Sequence, residues 1–389
     1  MKNFNSLIAR EFKLIRKNSV ILAIFIGAPI LYAILLGAVY SDAKATELPV
    51  IVADLDNSPL SDKFIDALND NQYISVNKII YQNNSSVENE LIKDNYHAVI
   101  TIPARFEADI NQKRHPEIDV DVDAANMLTA NYVSTGIMRV LGTLNAGIEI
   151  AAINKKGVPV EIAKQQFEAF KISMNRHYNP SSNYLHFLAP GMLGTVMQQV
   201  FLLALALSFT QEFENKTFNN LVKQSSSSIS LIFTKSLPYW IIGLALWFPL
   251  FYLSSKAFHL PTAENQFAYW LLTSLFFISL AFIGIAVSSA INSQLKATEI
   301  LMVIATPSFI LSGQTWPLSQ MPEWIQGIAS AIPLTHYLEG IRKLLMYKAD
   351  LTDIVPQLIP LIIITVVSFV ISVLNLKFKI RKTLALIDL

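Results

Sequence analysis

The strongest constraint in this 389-residue sequence is a set of apolar runs long enough to cross a lipid bilayer. A helix needs about 20 apolar residues to cross about 30 Å of hydrocarbon. Five runs approach that length, at residues 19–40, 188–210, 237–254, 267–290 and 354–375. A sixth run, 298–312, contains Pro307 and reaches only about 22 Å at 1.5 Å per residue, so it crosses only if residues 313–318 continue it. The sequence therefore predicts an α-helical membrane protein with six transmembrane helices.

Composition agrees with a membrane protein and excludes several other classes. Charged residues make up 15% of the chain, whereas a typical soluble domain has about 25%. The formal net charge of +1 argues against a nucleic-acid partner. The absence of cysteine excludes disulfides and thiolate metal sites.

Basic residues near the ends of the apolar runs predict the orientation. A basic lead at 10–17 precedes the first run, and a basic tail at 377–382 follows the last. Because Lys and Arg are enriched in cytoplasmic loops, both termini are expected in the cytoplasm, as an even number of spans requires. The first run has no obvious cleavage site and is interpreted as a retained signal anchor. Arg342, Lys343 and Lys348 fall on the outer side and run against this trend.

A segment of ordinary soluble composition, residues 42–187, separates the first two runs. Stretches typical of strands alternate in it with stretches typical of helices, which predicts an inserted α/β domain. Strands are predicted at 48–56, 73–80, 96–103 and 117–123, and helices at 58–70, 85–95, 104–112, 126–153 and 159–170. Because the first span runs outward, this domain is expected outside the cytoplasm.

Acidic residues in this segment raise the question of a metal site. They are Asp54, Asp56, Asp119, Asp121 and Asp123. Calcium needs about six or more converging oxygens, and no glycine-containing calcium loop is present. Asp56 precedes a Ser-Pro helix start, where a carboxylate accepts backbone N–H bonds. Helix capping and a solvated strand are therefore preferred to a metal site, and no cofactor is expected on this chain.

The chain also lacks the recognised catalytic motifs. Walker A, HExxH and nucleophile-elbow sequences are absent. A non-catalytic membrane chain with one outer domain is a transporter subunit, a receptor or a scaffold, and these alternatives remain open at this point.

Two further stretches bear on that choice. The first inner loop, "QEFENKTFNNLVKQSSSSISLIFTKSLPYW" (211–240), follows the second run directly and is either a solvated turn or a short lever that docks on another protein. The stretch "GQTWPLSQMPEWIQGIASAIPLTH" (313–336) places three prolines and two tryptophans between apolar runs. Such a broken apolar segment is typical of re-entrant half-helices with tryptophans at headgroup level.

Over its whole length the sequence resembles the permease subunits of bacterial ABC exporters with the type-2 membrane domain. Four places carry the resemblance: the charged lead "IAREFKLIRKN" (8–18), "VADLDNSPLS" (52–61) together with "IPARFEADI" (102–110), "RHYNPSSNYLHFLAPG" (176–191), and the stretch from 313 to 342. In the third, the matching residues are Arg176, Tyr178, Asn179, Pro180, Pro190 and Gly191. In the fourth they are Gly313, Pro317, Met321, Pro322, Trp324, Pro333, Leu334, Thr335 and Arg342.

One place departs from the family pattern. The loop after the second span usually reads E-R-E-x-G-T, whereas here it reads Glu212, Phe213, Glu214, Asn215, Lys216 and Thr217. The resemblance implies that these six residues, with Arg10 and Glu11 of the charged lead, couple the chain to an ATPase. It also implies that Gly313, Trp316, Pro317, Pro322, Trp324 and Pro333 belong to outer re-entrant helices, and that the third stretch is the outer-domain junction.

The resemblance implies a division into residues 1–41 (interface helix and first span), 42–187 (periplasmic α/β domain) and 188–389 (spans two to six). The last part would contain a coupling loop at 211–236 and a re-entrant segment at 313–336. The expected assembly is a permease homodimer or heterodimer in the bacterial inner membrane, with both termini cytoplasmic. A separate cytoplasmic ABC ATPase would bind ATP and magnesium. A periplasmic membrane-fusion adaptor and an outer-membrane channel are further expected partners.

The function expected from the resemblance is ATP-driven efflux of an amphiphilic small molecule, a drug or a lipid-like compound. Export of a polysaccharide or lipid-linked glycan is a second transport function, although permeases of that kind tend to lack a large outer domain. A receptor or scaffold with a ligand-binding outer domain is the alternative from another class.

Overall fold

The computed structural model describes residues 2–42, 44–81, 96–167 and 177–387. The chain divides into two compact units, a helical unit (Met1–Ala43 with Arg176–Leu389) and a sheet unit (Lys44–Asn175). The predicted helix at 85–95, the last three residues of the predicted helix at 159–170, and Arg176 lie outside the described residues.

The helical unit begins with an amphipathic helix, α1 (Lys2–Lys17). Its buried face is formed by Leu7, Glu11 and Ile15, which recur every four residues. Helix α2 (Ser19–Leu22), a π-helical turn (Ala23–Gly27) and α3 (Ala28–Val39) then follow one another in continuous helical backbone. At 1.5 Å per residue this run is about 30 Å long, in agreement with the first predicted span.

The sheet unit is a four-stranded α/β layer with strand order β2-β1-β3-β4. Strands β1 (Leu48–Asp54), β2 (Ile74–Ile80) and β3 (Ala98–Ile102) are parallel, and β4 (Asp119–Val122) pairs antiparallel to β3. The helices are α4 (Pro59–Asn69), α5 (Phe106–Asn111), α6 (Met127–Asn154) and α7 (Val160–Phe167). Val50, Ile51 and Val52 of the central strand are fully buried, as expected for a parallel strand covered on both faces. The predicted alternation of strands and helices is confirmed here.

Asp54 and Asp56 at the end of β1 accept hydrogen bonds within the sheet unit, but the N-cap of α4 is Ser58 and not Asp56, to which the sequence analysis gave that role. Asp54 is buried, and its carboxylate accepts the backbone N–H groups of Asp56 and Asn57 and the Ser61 hydroxyl. Asp56 accepts the backbone N–H of Glu107 at 2.9 Å. These oxygens are thus occupied by backbone and hydroxyl donors. Within the described ranges, no group of three or more His, Asp or Glu residues could hold a metal ion.

The rest of the helical unit contains nine helices within the described residues. They are α8 (Tyr184–Glu214), α9 (Phe218–Gln224), α10 (Ser228–Phe258), α11 (Gln266–Ala290), α12 (Gln294–Ala305), α13 (Ser308–Leu311), α14 (Glu323–Ser330), α15 (Pro333–Met346) and α16 (Val355–Ile387). Helices α8 and α11 form the centre and are mostly buried. Helix α16 packs along α11 and exposes a long apolar face.

Among the described residues, six helices are long and apolar enough to cross a membrane. Five of them coincide with predicted spans: α8, α10, α11, α12 with α13, and α16. The sixth is α6 of the sheet unit, whose residues Val133, Ile137 and Val140 are buried. Packing in the sheet unit accounts for the apolar character of that part of α6. The fold is that of an α-helical membrane protein with a small α/β unit.

The structure corrects the expectation for the predicted span at 298–312. Residues 313–318 do not continue it, because α13 ends at Leu311 and Gly313 adopts a left-handed φ of 79°. The helix is instead longer at its beginning, where α12 starts at Gln294 behind an N-cap from Ser293. From 294 to 311 the length is about 27 Å at 1.5 Å per residue.

The broken segment at 313–336 forms two distinct helices. Pro322 is the N-cap of α14, which exposes Trp324 and Ile328. Pro333 occupies the first turn of α15, where its missing N–H costs no hydrogen bond. Helix α15 is largely buried and packs against α11, α16 and α8. It extends to Met346, ten residues beyond the predicted segment.

Candidate functional site

A buried cluster of charged side chains joins three helices of the helical unit. The Lys235 ammonium lies 2.9 Å from a carboxylate oxygen of Glu11 and 2.9 Å from one of Glu212. All three residues are at most 3% exposed. Arg10 closes the cluster, with guanidinium nitrogens 3.0 Å from Glu11 and 2.8 Å from Glu212. We call Arg10, Glu11, Glu212 and Lys235 the ion cluster.

The ion cluster is balanced in charge and in hydrogen bonds. Two cations face two carboxylates, so the burial leaves no net charge. Glu212 also accepts the Thr217 hydroxyl. Burying charges is costly unless every ion has partners in good geometry, and removing one partner of such a pair costs about 3–5 kcal/mol. The cluster therefore holds its elements in one arrangement, because separating them would leave charges buried without partners.

The position of each residue follows from its helix. Glu11 interrupts the apolar stripe of α1 between Leu7 and Ile15, so the stripe carries it into the interior. Glu212 lies in the last turn of α8, and Lys235 lies in the third turn of α10. The cluster thus ties the lead helix to the ends of two long apolar helices on either side of α9.

The turn between α8 and α9 is fixed by further contacts. Glu214 is exposed, and its carboxylate accepts the backbone N–H of Gln294 at 2.7 Å and also the Gln294 side-chain amide. This places an acidic group at the N-terminus of α12, which the helix dipole favours. Lys216 adopts φ 55°, a left-handed conformation that favours glycine. The family pattern has glycine at this position. The left-handed backbone conformation explains why glycine is preferred there.

The structure brings the coupling residues expected from the sequence to one end of the helical unit. Arg10, Glu11 and Glu212 enter the ion cluster, whereas Glu214, Asn215 and Lys216 are exposed. Not every residue expected to couple the chain to an ATPase is free to contact one. The Glu212 carboxylate is buried and bound within the chain, because α1 and α10 cover it.

Lys235 belongs to the site but was not among the predicted residues. The sequence contained a sign of it, because an ionisable residue within an apolar helix is costly and is commonly functional. Within the coupling loop, the exposed surface lies on α9. Phe218, Leu221 and Val222 of that helix are buried, while Asn219, Asn220 and Lys223 face outward.

A second site lies towards the start of α8. A cavity of about 310 Å³ is lined by residues of two stretches that resemble the family, namely Tyr178, Asn179, Pro190, Gly191, Gln314 and Arg342. The Gln314 amide donates to the Phe187 carbonyl at 2.8 Å. A Cβ on Gly191 would come within 3.1 Å of the Gln314 side chain, so glycine permits this approach. We call this space the junction cavity.

Other predicted residues of these stretches, namely Pro180, Trp316, Pro317 and Trp324, do not line the cavity. Asn179 forms a turn with Pro180, and its side chain accepts the backbone N–H of Asn183 at 3.0 Å. Trp316 is 58% exposed and Trp324 is 70% exposed. Pro317 precedes the 3₁₀ turn Leu318–Gln320.

Two of the three basic residues that opposed the orientation rule have local partners. The Lys343 ammonium donates to the side chain of Gln357 and the carbonyl of Asp353, each at 3.2 Å. Lys348 pairs with Glu264 at 2.6 Å, and the hydrogen bond to that carboxylate raises the pKa of Lys348. Lys348 is thus paired with a carboxylate, and Lys343 lies 3.8 Å from that of Glu339, so both charges are partly neutralised. This weakens their weight as topological determinants.

Comparison with known proteins decides the family. The model of the ABC-2 family transporter protein matches residues 19–374, most of the chain. The chain belongs to the ABC-2 family. The resemblance to ABC-2 type permeases seen in the sequence is thereby confirmed.

Three relatives illustrate the spread of this family. The inner membrane transport permease YhhJ of Escherichia coli (strain K12) is 23% identical over 362 residues, covering 89% of this chain and 90% of YhhJ. The linearmycin resistance permease protein LnrN of Bacillus subtilis (strain 168) is 22% identical over 371 residues, or 91% and 94% of the two chains. The probable multidrug ABC transporter permease YbhR of Escherichia coli (strain K12) is 23% identical over 188 residues, which are 48% of this chain and 51% of YbhR. This last alignment spans about half of each protein.

Proposed function

We propose that this ABC-2 family chain is the permease subunit of an ATP-driven exporter, paired with a second permease and driven by separate cytoplasmic ATPase chains. ATP and magnesium are bound by those partner chains. The relatives support a transport function, since YhhJ is described as a transport permease and LnrN as a resistance permease.

The observation that carries the proposal is the position of the ion cluster and the junction cavity on one helix. Glu212 of the cluster and Pro190 of the cavity both belong to α8. They are 22 residues apart, which corresponds to about 33 Å of helix, close to the thickness of a hydrocarbon core, about 30 Å. A displacement at the cluster would therefore be carried along α8 to the opposite membrane surface.

Energy would enter next to the ion cluster. The exposed face of α9 is the surface that we propose for the ATPase, and Glu214, Asn215 and Lys216 flank it. The ion cluster couples α1, α8 and α10 around this helix, so a push on α9 would move those three elements together. Arg10, Glu11 and Glu212 would then act by positioning rather than by touching the partner.

The proposed topology places both termini and α9 in the cytoplasm and the sheet unit in the periplasm. Basic residues at 10–17 and 377–382 support it. Helices α14 and α15 would then lie at the outer surface, where the exposed Trp316 and Trp324 suit the headgroup level. In this arrangement the segment at 313–336 closes the outer end of the pathway.

The proposed substrate is an amphiphilic small molecule, a drug or a lipid-like compound. The junction cavity supports this class because its lining combines apolar Leu338, Ile341 and Leu345 with polar groups that include Arg342 and Gln314. YbhR is described as a probable multidrug ABC transporter permease, and LnrN as a linearmycin resistance permease protein. An adaptor in the periplasm and an outer-membrane channel are proposed as further partners of the sheet unit.

Transport in inside-out vesicles tests the proposal. The chain is co-expressed with an ABC ATPase encoded beside its gene, and ATP-dependent uptake of a fluorescent amphiphile is measured. We expect uptake that requires both chains and stops when the ATPase carries a Walker A lysine substitution. Stable association with no ATP-dependent movement of any amphiphile would favour glycan export. A failure of the two chains to associate would favour a receptor or scaffold.

A further inference from the structure

A second cavity, of about 530 Å³, lies beside the turn between α8 and α9 and is bordered by α16. Its lining combines aromatic rings and ammonium groups, from Phe213, Phe218, Phe378, Lys216, Lys379 and Lys382. Glu212 also lines it, but that carboxylate is engaged by Lys235, Arg10 and Thr217. The cavity is therefore predominantly cationic. We call it the lysine cavity.

Lys379 is the best-defined cation of the lysine cavity. Its ammonium donates to the Asn292 side chain at 2.6 Å and lies 3.6 Å from the centre of the Phe213 ring. It is half-buried, and within the described part of the chain no carboxylate lies within ion-pair distance of it. An amide oxygen and an aromatic face hold the cation without neutralising it, so the cavity still attracts an anion.

The lysine cavity also contains both departures from the family pattern. Phe213 stands where the family has arginine, and Lys216 stands where it has glycine. The ring below Lys379 and the Lys216 ammonium are thus features of this chain rather than of the loop pattern in general. Both residues line the same cavity, so this chain presents there a ring and an ammonium group that the family pattern does not specify.

The surroundings of the cavity favour a lipid as that ligand. Helix α16 exposes an apolar stripe that recurs every three or four residues, through Ile363, Val367, Val370, Leu374 and Phe378. Phe378 belongs to both the stripe and the cavity, and it is 73% exposed. The apolar stripe is thus continuous with the cationic cavity, an arrangement that suits acyl chains below an anionic headgroup. The apolar stripe would contribute nothing to the binding of a carboxylate from a protein partner.

We propose that the lysine cavity binds an anionic phospholipid, with its phosphate at Lys216, Lys379 and Lys382 and its acyl chains along α16. The lipid would brace α16 against the turn that precedes α9. This inference does not depend on the identity of the exported substrate. It would stand even if the ATPase interaction were disproved.

Lipid retention on the full-length chain tests the proposal. The protein is reconstituted with equal amounts of phosphatidylglycerol and phosphatidylcholine, extracted in mild detergent and weighed by native mass spectrometry. We expect phosphatidylglycerol to be retained over phosphatidylcholine, and retention to fall about tenfold in Lys379→Gln/Lys382→Gln, since each lysine contributes to the attraction of anionic lipid. Lys377→Gln removes one positive charge from α16 outside the cavity and should leave retention unchanged.

A third variant protects the test against a folding defect. Lys216→Gly removes one cation while restoring the residue that suits a left-handed φ, and it should lower retention about threefold. Equal retention in the wild type and the double variant would overturn the proposal, as would an equal loss in Lys377→Gln. Unchanged lipid with weakened binding of the ATPase in the double variant would assign the cavity to the protein partner instead.

Discussion

The Lys235 ammonium lies 2.9 Å from the Glu212 carboxylate, and neither residue is more than 3% exposed. An ion pair at the end of an apolar bundle is stable only while every charge keeps its partner. This pair, extended by Glu11 and Arg10, makes the end of α8 a joint between α1 and α10.

Removing the central cation should destabilise the protein strongly. In Lys235→Met, Glu11 and Glu212 stay buried, and Arg10 is the one cation that still pairs with them among the described residues. We expect a loss of about 3–5 kcal/mol. Thermal unfolding of the detergent-purified chain measures it. The double variant Glu212→Gln/Lys235→Met should lose less than the sum of the single variants. Additive losses would show that the pair is not coupled.

Exposed Glu214 provides the control for that experiment. Glu214 lies two residues from Glu212 in the sequence, but its carboxylate interacts only with the N-terminus of α12. Glu214→Gln should therefore lower the free energy of unfolding by less than about 1 kcal/mol. If Glu214→Gln and Glu212→Gln destabilise the chain equally, the burial of Glu212 would have no energetic consequence.

The left-handed backbone conformation of Lys216 predicts a substitution that stabilises the protein, in contrast to the two described above. A residue with a Cβ pays about 1–2 kcal/mol in the left-handed region, and Lys216 has φ 55°. Lys216→Gly should therefore raise the free energy of unfolding by about 1 kcal/mol, whereas Lys216→Ala should leave it unchanged. A gain in the alanine variant equal to that in the glycine variant would trace the effect to the lost charge.

The topology can be tested cleanly because the chain has no native cysteine. Lys155 caps α6 of the sheet unit, and Lys223 lies on the exposed face of α9. A cysteine at 155 should react with a membrane-impermeant thiol reagent in cells whose outer membrane is permeabilised, while one at 223 should react only after lysis. The reverse pattern would invert the proposed orientation.

The prolines of the broken segment should matter for transport. Pro317 and Pro322 bracket the 3₁₀ turn, and alanine at both positions would allow helix to extend across it. We expect Pro317→Ala/Pro322→Ala to be expressed at the wild-type level with reduced transport in vesicles. Wild-type transport would make 313–336 a surface connection with no part in closing the pathway.

Periodicity and length were sufficient to predict most of the elements of this fold. The strands at 48–54 and 74–80 and the spans α8 and α11 lie where the sequence placed them, because each has a strong local pattern. The predicted extension of the span at 298–312 was wrong, since hydropathy did not register the polar first turn of α12 at Gln294.

The site was less accessible to sequence reasoning because its contacts are long-range. Lys235 and Glu11 are 224 residues apart. The sequence around each of them does not indicate which residue it pairs with. The family pattern did indicate Glu212, but not that α1 and α10 would bury it. Burial depends on how the helices pack, which the charge pattern of a loop does not specify.

The central claim is that ATP-derived energy enters this chain through the exposed face of α9. Its most direct test is a photo-crosslinking amino acid placed at Asn220 or Lys223, in cells that co-express the ABC ATPase, with Lys155 of the sheet unit as the control position. We predict an adduct with the ATPase chain from positions 220 and 223 and none from 155. An intact transport complex that gives no adduct at either α9 position, or an adduct at 155, would contradict the account.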